Sequence, residues 1–139
     1  MLKTLRIYPI TIQTDKIMIQ EEILDNNKLI RDFMGVNYSK GVLGDSRIYF
    51  KIKVAYMDDE IISAEEDFRY HISWDWLMPV VDKIENDCSH EVVVFGDHCH
   101  INQGDTHDMG YSSKGSKKES TYQAVIEFIK WYNVNKENI

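Results

Sequence analysis

The sequence predicts an α+β fold, a small antiparallel sheet packed by about three helices, and three observations lead there. Residues 47–56 alternate apolar and polar with a period of two. The segments near 73–86 and 117–133 instead carry apolar residues three and four apart, the spacing of a half-buried helix. Strand and helix signals follow one another without the regular alternation that builds a parallel sheet.

Residues 2–12 alternate loosely through Leu5, Ile7, Ile10 and Ile12 and are read as an edge strand interrupted at Pro9, which has no N–H to give a ladder. A helix is expected near 20–34, with Ile23, Ile30, Phe33 and Met34 on one side and Gly35 just past its end. Asn26 and Asn27 have poor helix propensity and are expected to fray or break its first half.

Ile48, Phe50, Ile52, Val54 and Tyr56 form the apolar set of the strand at 47–56, and Asp58-Asp59 make the turn into a second strand at 60–64. The two strands give a hairpin over 47–64. Met57–Asp67 holds six acids and no base, the composition of a solvated turn and edge.

Ser73 is placed as the N-cap of the next helix. Trp74, Leu77, Val81 and Ile84 mark its core stripe, with Trp76 and Val80 widening it. Pro79 lies inside this segment and is expected to kink or restart it. Residues 91–102 read as a hairpin around Gly96-Asp97, a two-residue loop with Gly first, as a type II′ turn requires. That register puts Val92, Val94, Cys99 and Ile101 on one face, and Val93, Phe95, His98 and His100 on the other. A polar loop through Ser116 precedes the last helix. There Tyr122, Val125, Ile126, Ile129 and Tyr132 line one side, beside Phe128 and Trp131, and Gln123, Glu127 and Lys130 face water.

At 139 residues, with 43% hydrophobic and 28% charged, the chain is read as a single domain able to bury one core. The net charge of −7 argues against non-specific nucleic-acid binding, which needs a basic surface. No apolar run approaches the ~18–20 residues of a membrane span. The N-terminus lacks the apolar core of a signal peptide, so a cytoplasmic protein with reduced Cys88 and Cys99 is expected.

Three blocks carry a resemblance: Asn26-Asn27-Lys28-Leu29-Ile30-Arg31-Asp32-Phe33-Met34-Gly35, the run from Tyr70-His71-Ile72-Ser73-Trp74-Asp75-Trp76 to Pro79 and Glu85, and Tyr122-Gln123-Ala124-Val125-Ile126-Glu127-Phe128-Ile129-Lys130-Trp131-Tyr132-Asn133. In wording and order they resemble a family of small uncharacterised proteins of bacteriophages and their bacterial hosts. The resemblance covers less than a third of the chain. It implies a phage or mobile-element origin and a location in the host cytoplasm, and it brings no catalytic residues. Members of that family often begin just before the Asn-Asn-Lys block, so residues 1–17 are read as an N-terminal extension.

One segment offers candidate chemistry. His98 and His100, two apart on a strand, project from one face with Cα atoms about 6.5–7 Å apart. With His107 and Asp108 from the following loop they compose a candidate site for a divalent metal, whereas the simpler reading is a polar outer face of a hairpin. Asp75 fits the first turn of its helix, where the dipole favours an acid. The lysine-rich run Ser112–Lys118 lacks the glycine and lysine spacing of a phosphate-binding loop. The leading expectation is therefore a non-enzymatic accessory protein that binds a host protein. Asp58, Asp59 and Glu60 form its acidic contact surface, and Trp76 is the candidate exposed anchor. The alternatives are a metal-dependent hydrolase or metal-binding regulator and a structural homo-oligomer.

Overall fold

Among the described residues nine elements follow one another: α1 (Tyr8–Met34), β1 (Tyr38–Lys40), β2 (Ile48–Ile52), β3 (Glu60–Ile62), α2 (Trp74–Asp87), β4 (Glu91–Phe95), β5 (His98–Gln103), β6 (His107–Ser112) and α3 (Lys117–Asn135), with a 3-10 turn at Glu65–Asp67. The computed structural model describes residues 8–36, 38–40, 48–103, 107–112 and 116–136, and for residues 8–19, 38–40, 103 and 107–112 the backbone alone. The architecture is α+β, with antiparallel strands and three helices. The strands are divided between two sheets, of order β1-β2-β3 and β4-β5-β6.

Helix α3 packs across β5 and β6 and also meets α1 and α2. Ser116 caps its start by accepting a hydrogen bond from the Glu119 N–H at 3.1 Å. Ala124, Val125, Ile126, Phe128 and Ile129 are all buried, while Glu127 and Lys130 face solvent as their spacing predicts. Ser120 and Thr121 are buried too, and their hydroxyls donate back to the Lys117 carbonyl at 3.0 and 2.7 Å. Ile30 of α1, Ile52 of β2, and Leu77, Val80 and Ile84 of α2 complete the core with Phe68 and Tyr70.

Several expectations need correction. Tyr8–Ile12 belong to α1 rather than to an edge strand, and residues 1–7 lie outside the described part. Pro9 is tolerated because it stands in the first helical turn, where no intrahelical acceptor awaits its missing N–H. Asn26 and Asn27 leave α1 unbroken, because both are buried against the rest of the fold. Gly35 ends the helix as predicted. Its φ is +64°, the Val36 N–H reaches the Arg31 carbonyl at 3.3 Å, and the Gly35 N–H reaches that of Asp32 at 3.2 Å, the paired bonds of a Schellman cap.

The hairpin at 47–64 forms, with Phe50 opposite Ile62 and Ile52 opposite Glu60. Its face assignment holds only in part: Ile52 and Val54 are buried, but Tyr49 is buried where Ile48 is exposed. The hairpin at 91–102 has the expected register, Phe95 opposite His98 and Val93 opposite His100, around Gly96 at φ +56°. Strands β1 and β6 were not anticipated. The polar segment after Asn102 returns as β6 along β5, pairing Gln103 with His107 and His98 with Ser112.

Candidate functional site

Helix α2 is continuous through Pro79, which does not restart it. A proline has no N–H for the carbonyl four residues earlier, so the Asp75 oxygen is left without its helical donor. The Ala55 N–H takes that oxygen at 2.8 Å. This bond ties the start of α2 to the segment after β2, and the next residue, Tyr56, turns at φ +62°, in the left-handed region that a non-glycine side chain rarely occupies. The turn reverses the side chain's direction: Tyr56 was expected inside with Val54, yet it is 98% exposed. Met57 beside it and Met78 on α2 are exposed as well. Together with Lys53, Asp58, Pro79 and Asp82 they surround an open hollow of about 810 Å³.

The acidic candidates lie at this end of the molecule. Asp58 lines the hollow, Asp59 is exposed and 3.9 Å from Lys51 Nζ, and Glu60 is ion-paired with Arg69. Trp76 is not a surface anchor, being only 1% exposed. It packs edge-on against Tyr70 at 5.0 Å between ring centroids, and the Arg69 guanidinium lies 5.3 Å from its ring. Trp74, expected in the core, is instead 36% exposed. Successive helical residues are turned by ~100°, so the two indoles point ~200° apart and only one can face the core.

On the outer face of β4 and β5 the rings of Phe95, His98 and His100 stand nearly parallel. Phe95 lies 5.5 Å from His98 and 5.7 Å from His100, and the two imidazoles are 6.4 Å apart. Asp97 Oδ1 accepts from His98 Nδ1 at 2.8 Å, which leaves Nε2 as the open nitrogen of that ring. The register carries His107 to the far end of β5 from His98 and sets Asp108 opposite Asn102. The side chains of His107 and Asp108 lie outside the described residues, among which no group of three or more His, Cys, Asp or Glu converges as metal ligands. Two histidines supply fewer ligands than the three protein groups of a catalytic zinc site.

A third region was not singled out by the sequence. Asn27 stands where α1, α3 and the segment before α2 meet, and it is 2% exposed. Its Nδ2 donates to the Phe68 carbonyl at 3.3 Å and to His71 Nδ1 at 3.0 Å, while its Oδ1 accepts from the Tyr122 hydroxyl at 2.9 Å. The carbonyl can only accept, so the orientation of the amide is fixed. His71 Nδ1 must then accept as well, and the neutral ring carries its proton on Nε2. Burial lowers the proton affinity of His71 and raises that of Tyr122, so both are held neutral near pH 7.

Beside this centre lies a cavity of about 420 Å³, bordered by Ile23, Leu24, Asn27, His71, Glu21 and Glu66. Glu65 also reaches it but is already held by Arg31 and by Lys28, 3.5 Å away; although burial opposes it, these cations keep its carboxyl below the usual carboxylate range.

Cys88 and Cys99 are free thiols. Burial pushes Cys99 up to about 11, which keeps it protonated and unreactive near neutral pH. No helix of the described residues is long and apolar enough to cross a membrane. Scans against protein-family models, curated proteins and solved structures return no match to this chain.

Proposed function

We propose that this chain is a non-enzymatic binding protein that docks a basic protein partner through the surface around Tyr56, Met57 and Met78. The observation that carries this reading is Tyr56: a large aromatic side chain held fully in solvent by a left-handed turn, which is itself tied to α2 through the Ala55–Asp75 hydrogen bond. Exposed aromatic side chains are frequent anchors of protein interfaces, and methionines beside them adapt their shape to a partner. Asp58 and Asp82 share the hollow, Asp59 adjoins it, and the chain carries a net charge of −7, so the complementary surface is one that brings Lys or Arg around a pocket for the Tyr56 ring. The wording of the three sequence blocks supports a phage or mobile-element protein acting on a host-cell partner.

The test uses the full chain carrying a photo-crosslinking benzoyl-phenylalanine in place of Tyr56, expressed in cells that carry the gene. The crosslinked protein is then purified and titrated against the natural chain, Tyr56→Ala, and Asp58→Lys with Asp59→Lys. Each variant should keep the far-ultraviolet dichroism of the natural protein and bind at least about tenfold more weakly, as loss of an interface anchor does. Absence of any specific crosslink, or a captured partner indifferent to both variants, would remove the basis for this reading.

A further inference from the structure

The cavity next to Asn27 carries a second inference, independent of the Tyr56 surface. Its volume, about 420 Å³, falls within the range of small-molecule sites, roughly 300–1,000 Å³. One wall is apolar, made by Ile23 and Leu24 one helical step apart on α1. The floor is polar and rigid, because Asn27 is bonded on three sides and fixes the His71 imidazole through Nδ1. The mouth is acidic. Arg31 and Lys28 already neutralise Glu65, but Glu66 and Glu21 have no ion-pair partner among the described residues. A neutral imidazole adds no positive charge to oppose a cation entering there.

We infer that this cavity is a binding site for a small amphipathic amine, whose apolar part lies against Ile23 and Leu24 and whose ammonium group meets Glu66 and Glu21 at the mouth. Charge sign selects the ligand class. An anion of the same shape would meet two uncompensated carboxylates, and a neutral analogue would leave both carboxylates without a counter-charge. The ordered floor favours a small molecule, since Asn27 and His71 need not rearrange to receive it.

Three probes with the same carbon count separate charge from shape: 3-phenylpropylamine, 3-phenylpropanol and 3-phenylpropionate. Each is titrated into the full-length ¹⁵N-labelled protein, followed by amide chemical shifts. The amine is expected to give saturable shifts confined to residues 20–27 and 65–71, with the alcohol weaker and the acid weakest. Glu66→Gln and Glu21→Gln, both at exposed positions, should each weaken the amine about threefold, the size expected of one partly exposed ion pair, and leave the thermal melt unchanged. The inference is overturned if the amine produces no saturable shift at these residues, if the acid binds as well as the amine, or if neither glutamine variant changes its affinity. Because no residue of the Tyr56 surface enters the experiment, its failure leaves the protein-binding proposal standing, and the reverse holds too.

Discussion

Replacing Asn27 by Ala tests whether a polar residue inside α1 holds three parts of the fold together. The substitution removes three hydrogen bonds, to the Phe68 carbonyl, His71 Nδ1 and the Tyr122 hydroxyl. At about 1 kcal/mol net for each, the loss is about 3 kcal/mol. Alanine is the better helix former by about 0.6 kcal/mol, which offsets part of it. Against that, the Phe68 carbonyl and the Tyr122 hydroxyl lose a partner where water is largely excluded, at about 1 kcal/mol or more for a fully stranded group. The expected destabilisation is therefore about 2–4 kcal/mol, or roughly 7–14 °C in melting temperature for a chain of this length. Urea unfolding followed by far-ultraviolet dichroism measures it, with Asp25→Ala as an exposed control on the same helix that should change stability by less than about 0.5 kcal/mol. Tyr122→Phe removes only one of the three bonds. Combined with Asn27→Ala it should cost about 1 kcal/mol less than the two separate losses added, because the shared bond is counted only once. A loss below about 1 kcal/mol for Asn27→Ala, or strict additivity in the pair, would refute the picture of Asn27 as the hub of a bonded network.

Two further outcomes follow from burial and charge. Trp76→Ala should destabilise by about 3–5 kcal/mol, the range for emptying a large aromatic site in a core, while Trp74→Ala should cost about 1 kcal/mol or less; equal effects would contradict the assignment of the two indoles. His71 has a proton affinity lowered by burial, so the unfolded chain binds the proton more readily than the folded one. Its contribution to stability is full above the unfolded value near 6.5 and is lost as pH falls through the lower folded value. Unfolding free energy measured across that window should fall with acid in the natural protein and flatten in His71→Gln.

The parts of the fold visible in the sequence are those that local chemistry decides. Gly96 supplies the one positive φ of its turn, and the alternation of Val92 to Ile101 follows from it. Ser73, Gly35 and the C-terminal aromatic stripe mark helix ends and faces in the same way. The misreadings arise where a residue's partner is distant. Tyr8–Ile12 carry too few apolar residues to separate a strand from the first turns of a helix, and only continuity with the rest of α1 decides. Asn27 counts against a helix by propensity, but its partners lie 41 to 95 residues away and outweigh that preference. The choice between Trp74 and Trp76 depends on where Phe68 and Tyr70 pack, and helical spacing allows either. The alternation that sets His98 and His100 on one face is legible, whereas the return of β6 along β5 is not, because its residues lack an apolar period.

Pro79 shows how a locally unfavourable residue becomes informative once its consequence is followed through space. Read along the chain, it is a break in α2. In the fold it removes one N–H and so exposes one acceptor, the Asp75 carbonyl, near the start of the helix. A backbone carbonyl seeks a hydrogen-bond donor, and the Ala55 N–H supplies one at 2.8 Å. The bond fixes the backbone one residue before Tyr56, whose left-handed conformation costs of the order of 1 kcal/mol and persists only where its surroundings impose it. The exposure of Tyr56 is thus tied to the helix rather than to the habits of a loose surface loop. That link is why we propose the hollow between the β2–β3 connection and α2, rather than another face, for partner contact. Tyr56, 98% exposed, directly follows the residue whose N–H takes the acceptor that a single proline leaves open.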